Sequence, residues 1–413
     1  MTWTQSLTII ILLLGFMLTK NPEAFSIKNS FSSLTLTSTC SQQVQRRSFR
    51  TLLSQTNKGT SLDIPESYPI ARKKLIKKAR QLDPTLNTKK SGSYSTVGWS
   101  NRLGTVLTPA SIPGVYTACR PFYWNKIDVG CRMTVIELQS KSQSNNKDDE
   151  NVIKPDLFIH SPVALDGKLM EAINKLGNVK HVVSPNYEHV KYAKVWGETY
   201  ENAYMWACPG MMEREPEVRW TGEIPYGARP PEYPMTDTSK NSELETVEGM
   251  WNWNEIQPLH VDVEFNPFTS KPFFNEVVFY HKSSKTLLTT DTYWNYPKSD
   301  GVTNSNYEDI PNNIQRSADD DGFTFDWELA PSVEKIPFGT RLWKIGMDKL
   351  FRPFYLNLMI KNDKKSDFQK IAKFVSGLGD SCWDVETVIP AHGDVVRGSK
   401  FVRNVLKDHF NIQ

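Results

Sequence analysis

Short apolar runs, each stopped by turn residues and followed by a stretch with helical spacing, recur through most of the chain. Val182 and Val183 end at Ser-Pro-Asn, and beyond them Tyr192, Val195 and Trp196 recur at helical intervals; this predicts a buried strand over Val179–Val183, a polar corner, and a helix over Val190–Thr199. The same reading predicts strands around Tyr116–Tyr123, Cys131–Leu138, Leu157–His160 and Ala203–Ala207, with a helix over Asp166–Leu176 capped by Gly177. Pro209–Pro234 reads as a proline-dense loop. Strands follow at Gln257–Phe265, Glu276–His281 and Lys285–Thr290, then helices at Thr340–Phe351 and Asp367–Leu378, a strand at Val385–Ile389 and a helix over Gly398–His409. Strand and helix alternate as in layered α/β folds. Hydrophilic Gln139–Lys154 and acidic Asp300–Asp321 read as surface insertions.

The first hundred positions follow another pattern. Leu7–Leu18 is an apolar run of signal-peptide length, too short to span a bilayer comfortably. From Phe25 to Leu62 there is no acidic residue, while Ser, Thr, Lys and Arg are frequent. With phenylalanine at the junction, this resembles the bipartite plastid presequence of algae with secondary plastids. The expected organisation is a signal peptide over 1–24, a transit-like segment over 25–62, a basic helix and linker over 63–98, and one domain over 99–413. Plastid location is the expectation, with secretion as the alternative and no transmembrane anchor after processing.

Charge and cysteine then narrow the class. Of 413 residues, 49 are basic and 46 acidic, a net charge of +3, so no whole-chain field argues for a nucleic-acid partner. Five cysteines without CxxC spacing argue against both a structural zinc knuckle and a disulfide framework. Twelve tryptophans and twenty phenylalanines point to aromatic-rich packing or a large pocket.

Three corners join a buried strand to a residue able to bind metal: Glu188 and His189 after Val183, Asp291 after Thr290, and His392 after Ile389. Carboxylate and imidazole are ligands that zinc, iron or manganese would choose. The segments RPFYWNKIDVGCRMTVIEL, LFIHSPVALDGKLMEAINKLG, KHVVSPNYEHVKYAKVW and HKSSKTLLTTDTYWN resemble an uncharacterised family, domain of unknown function 4336, over roughly Arg102 to the C-terminus. The order of the corners resembles the metallo-β-lactamase superfold.

That resemblance implies an αββα sandwich of two mixed sheets with outer helices. It also implies a metal motif missing two usual ligands: Ser184 and Asn186 stand where the first two histidines belong, and Glu188, His189, Asp291 and His392 match a second metal site. Two readings stay open. One is a hydrolase with a single divalent ion acting on an ester, thioester or amide of a small molecule; the other is a non-catalytic binding or assembly protein of the plastid that kept the fold and holds no metal. His160, His281, Lys282, Lys285 and Tyr187 are lesser candidates for the cleft, and Arg120 and Arg132 read as surface or ion-paired residues.

Overall fold

The computed structural model describes residues 106–124, 127–139, 154–234, 249–296, 338–379 and 381–413, all within one compact unit, Pro69–Gln413. The segments expected over 1–98 lie outside these residues, as do 140–153 and the acidic loop 300–321.

The apolar runs become two sheets. The first has seven strands in the order β1-β2-β5-β6-β7-β8-β9: Thr108–Ile112, Val115–Arg120, Cys131–Glu137, Asp156–His160, Asn178–Ser184, Tyr204–Ala207 and Gly222–Glu223. Neighbours are antiparallel as far as β6 and parallel from β6 to β9. The second sheet has five strands, β10 to β14 in order: Ile256–His260, Val277–His281, Thr286–Thr289, Thr387–Pro390 and Val396–Arg397. Only β12 and β13 run parallel in it. A separate two-stranded ladder pairs β3 (Tyr123–Trp124) with β4 (Ile127–Asp128).

Alternation along each strand of the first sheet separates its two faces. Ile136, Phe158, Val183 and Trp206 face the second sheet and share a core with Ile256, Val277, Phe279, Leu288 and Ile389. Met133, Val135, Ile159, Val182 and Met205 face outward, against Leu169 and Ile173 of α1 (Gly167–Leu176) and Ala193 and Trp196 of α2 (Ala193–Thr199). Between the sheets Phe158 meets Trp251 at 5.1 Å and Phe279 at 5.8 Å, both edge-on, where the aromatic content is spent on packing. Beyond the second sheet, helix Ser399–Phe410 packs on β13 and β14. The αββα layering that the superfold resemblance implied is therefore present.

Several boundaries differ from the expectation. The helix after β7 starts at Ala193, because 189–192 forms a turn. The strand begun at Ile256 stops at His260, ahead of a turn at Asp262, whose carboxylate pairs with Arg229. The proline-dense loop contains α3 (Met211–Arg214) and edge strand β9. Strands β1 and β14 lack a distinct pattern of their own. Gly177 does cap α1, but with extended backbone (φ −173°). A glycine is required there because a Cβ would lie 2.4 Å from the Pro155 carbonyl oxygen and 2.8 Å from Leu157.

Candidate metal centre

The C-terminal ends of β7, β12 and β13 open at one end of the sandwich, and each carries one candidate ligand in the loop that follows it. Val277 N–H donates to Pro185 O at 2.8 Å and Tyr187 N–H to Phe274 O at 3.0 Å, tying the β7 corner to the second sheet.

His189 is buried because Asn186 winds the corner. The Asn186 Oδ1 accepts the N–H groups of Glu188 (3.0 Å) and His189 (2.8 Å), an Asx turn. Since backbone N–H groups can only donate, the amide nitrogen of Asn186 must face the other way. It donates to Thr290 Oγ1 at 2.9 Å and to Asp291 Oδ2 at 2.6 Å.

Asp291 is held by a residue that nothing in the sequence marked. The buried Glu276 carboxylate accepts three consecutive N–H groups, of Thr290, Asp291 and Thr292, at 2.6, 2.7 and 2.7 Å. Burial raises the Glu276 carboxyl and the Asp291 charge adds to it, against the lowering effect of those donors.

His392 sits in a loop fixed from two sides. Arg132, expected at the surface or in an ion pair, is buried and donates to the carbonyls of Pro390 (2.7 Å) and Gly393 (2.6 Å), while its own N–H donates to Ala391 O. Gly393 has a left-handed φ of +95°, and a Cβ there would lie 2.1 Å from Asn295 O. The Nδ1 of His392 lies 2.7 Å from Gly130 O. A carbonyl only accepts, so Nδ1 carries a hydrogen.

These loops bring His189, Asp291 and His392 together. The two Nε2 atoms are 3.2 Å apart; His189 Nε2 is 3.4 Å from Asp291 Oδ2, and His392 Nε2 is 3.4 Å from Asp291 Oδ1. Two ligands on a tetrahedral zinc with bonds of about 2.0–2.1 Å stand about 3.3–3.4 Å apart. A charge-assisted N–H···O bond is shorter, about 2.7–2.9 Å, so the two imidazole–carboxylate spacings suit a shared ion better than direct pairing. The donor set, two imidazoles and one carboxylate, also suits zinc, iron or manganese. In the protein alone, burial opposes the charged form of His189 but Asp291 and then Cys131 raise it well above its ordinary value. Burial likewise opposes the Asp291 charge, and His189 and His392 outweigh it and hold that carboxyl below the usual range.

Glu188 does not join the group. The same Asx turn that directs His189 inward leaves its neighbour exposed, which corrects the expectation of a fourth ligand from this position. Ser184 is fully buried. His281 lies at the far end of β11, against the hydroxyls of Ser283 (2.9 Å) and Ser284 (2.7 Å). At that far end Lys282 pairs with Glu232, and Lys285 with Asp384 and Glu386. Arg120 forms a buried ion pair with Asp166 at 3.3 Å. Tyr187 lines a cleft of about 240 Å³ with Pro209, Gly210, Ile224, Tyr226 and Asn275, so the loop that carries His189 also forms one wall of this cleft. No helix among the described residues is long and apolar enough to cross a membrane.

Comparison with known proteins places residues 123–321 under the family model described as Domain of unknown function (DUF4336). That range is narrower than the resemblance read from Arg102 onward, and His392 falls outside it. No curated protein matches. Among solved structures, a metallo-β-lactamase from Hirschia baltica is 9% identical with a TM-score of 0.35, over 72% of this chain and 94% of that one. A metallo-β-lactamase from Pontibacter korlensis is 8% identical with a TM-score of 0.32, over 73% and 96%. Rubredoxin oxygen:oxidoreductase from Desulfovibrio gigas is 13% identical with a TM-score of 0.36, over 74% and 61%.

Proposed function

We propose that this chain, whose residues 123–321 match the family model described as Domain of unknown function (DUF4336), is a hydrolase dependent on one divalent metal ion. The observation that carries the reading is the meeting of two Nε2 atoms and the Asp291 carboxylate at mutual distances of 3.2–3.4 Å. His189, His392 and Asp291 would hold the ion. A divalent ion in such a setting supplies Lewis acidity and lowers the pKa of water toward neutrality.

Asn186 supports a single ion rather than two. A second ion sharing Asp291 needs an electron-pair donor at the Asn186 position, and the amide presents hydrogens there, at 2.6 Å from Asp291 Oδ2. The Asn186 N–H group thus balances part of the Asp291 charge that another cation would otherwise neutralise.

The remaining parts belong to the protein. Glu276 and Arg132 fix the two loops, so the donors do not have to be ordered when the ion arrives, a preorganisation that favours binding. The cleft beside Tyr187, walled by proline and aromatic side chains, would seat the apolar portion of a small ester, thioester or amide. The apolar Leu7–Leu18 run and acid-free Phe25–Leu62 support import into a plastid; a fluorescent protein fused after residue 98 and expressed in an alga with secondary plastids tests that part separately.

Metal analysis of the purified chain tests the central reading. The expected result is about one equivalent of zinc, iron or manganese, lost in a His189→Ala, His392→Ala double variant, with hydrolysis of an acyl-ester, thioester or amide panel lost in parallel. No metal uptake after reconstitution with each ion refutes it. That outcome favours the second reading, a plastid binding protein in which the His189 and Asp291 charges satisfy each other.

A further inference from the structure

Ser161 is the residue after β6, fully buried, and its φ of +56° lies in the left-handed region. Glycine is the ordinary choice for such backbone, and a serine held there invites the question of what its side chain does. Its backbone N–H donates to Val183 O at 3.0 Å, which anchors the residue at the mouth of the parallel β6–β7 pair. Its hydroxyl lies 2.7 Å from His189 Nδ1. The Cys131 sulfur is 3.9 Å from the same nitrogen and 4.0 Å from the hydroxyl, so the serine is the nearer partner of Nδ1.

Two arrangements fit 2.7 Å. The hydroxyl donates to Nδ1, which puts the ring hydrogen on Nε2; or Nδ1–H donates to the hydroxyl, which leaves Nε2 with a free lone pair. A bound ion separates them. Held between the two Nε2 atoms, 3.2 Å apart, it needs a lone pair on each, whereas a hydrogen on Nε2 of His189 would instead face Nε2 of His392 and, at 3.4 Å, Asp291 Oδ2, which already accepts from Asn186 at 2.6 Å. On the opposite ligand, Gly130 O places a hydrogen on Nδ1 of His392, so that Nε2 is the nitrogen turned toward His189.

We propose that Ser161 is a positioning residue that accepts the Nδ1 hydrogen of His189 and thereby aims the Nε2 lone pair into the space shared with His392 and Asp291. Its consequence for metal binding rests on the metal reading above. Outer partners of this kind fix the tautomer and orientation of a ligating histidine, and their loss typically costs about 10–100-fold in metal affinity. The unusual backbone accompanies this contact: at φ +56° the chain leaves β6 with the hydroxyl 2.7 Å from Nδ1.

Ser161→Gly provides the test, because it removes the hydroxyl while suiting the left-handed backbone, so a folding defect does not obscure the result. Co(II) and Zn(II) affinities are measured on the full chain by competition with a chromophoric chelator, with thermal unfolding in chelator as a control. The expected result is about 10–100-fold weaker binding in Ser161→Gly, an altered Co(II) absorption spectrum, and an unfolding temperature close to that of the wild type. Equal affinity and an unchanged spectrum overturn the positioning role while leaving the metal reading intact. If the wild type takes up neither ion, the metal reading fails instead, and ¹⁵N-histidine NMR of the chelated protein at alkaline pH decides the positioning role. A hydrogen on Nδ1 of His189 that is lost in Ser161→Gly supports it; the same tautomer in both proteins overturns it.

Discussion

Asn186→Asp changes one atom group and inverts the polarity of the contact at the centre. The native amide nitrogen donates to Thr290 at 2.9 Å and to Asp291 at 2.6 Å, and the new carboxylate has no hydrogen for either. The bond to Thr290 contributes about 1 kcal/mol and the charge-assisted one to Asp291 about 2 kcal/mol. Two carboxylates about 3 Å apart repel by about 5 kcal/mol at an effective dielectric of 20, and the pair avoids that cost by sharing a proton, which raises one pKa. The introduced group therefore has a folded pKa above its unfolded value of about 3.9. A carboxyl with a raised pKa favours folding below its unfolded pKa and loses that contribution as pH rises through the folded value. Relative to wild type in chelator, the variant should lose at least about 3 kcal/mol at pH 8, the two lost bonds alone, with the repulsion added to it, and only about 1 kcal/mol near pH 4, where the shared proton restores the contact with Asp291. That floor corresponds to about 6–12 °C of unfolding temperature in alkaline solution, at about 2–4 °C per kcal/mol. Thermal unfolding of both proteins at several pH values measures it. A variant as stable as wild type at pH 8, or a deficit that does not shrink on acidification, would refute the assigned orientation of the Asn186 amide.

Other perturbations test the frame. In chelator, Asp291, whose pKa is depressed, contributes stability above its unfolded pKa of about 3.9 and loses it as pH falls through the folded value. His189, whose pKa is raised, contributes below its unfolded pKa of about 6.5 and loses that contribution as pH rises through the folded value. The stability contribution of this pair should thus be largest between about pH 4 and 6.5, and denaturant unfolding across pH with His189→Gln as the reference would show a flat difference if the coupling is absent. Gly393→Ala places a Cβ 2.1 Å from Asn295 O at φ +95°, and should cost more than about 3 kcal/mol and abolish metal uptake; retention of both fold and metal would contradict the loop geometry. Arg132→Lys cannot bridge the carbonyls of Pro390 and Gly393 as the guanidinium does, with an expected loss of about 1.5–3 kcal/mol by urea unfolding; no measurable loss would show that the His392 loop is held without it.

Local chemistry is legible in the amino-acid sequence. Branched residues at Val182–Val183 and Leu287–Leu288 need burial on a sheet, and turn residues after them end the strands; these features place His189, Asp291 and His392 in the loops that follow β7, β12 and β13. The strands without an apolar run of their own, β1 and β14, are not separable by pattern, since pairing with a neighbour rather than periodicity makes them strands. Glu188 misleads for a different reason. Adjacent residues carry equal weight in a spacing argument, whereas an Asx turn directs one inward and the other to solvent.

What the sequence by itself determined is the set of buried runs, the corners between them and the residue types available at those corners, because these follow from backbone preference and hydrophobic burial over a few residues. What only the tertiary structure decided is which corners meet and what holds them. His189 and His392 are joined across two sheets, and the partners of the three candidate ligands come from distant segments: Ser161 on His189, Glu276 beneath Asp291, Gly130 on His392 and Arg132 around its loop. Hydrogen bonds of that range depend on sheet register and packing, which local pattern does not encode.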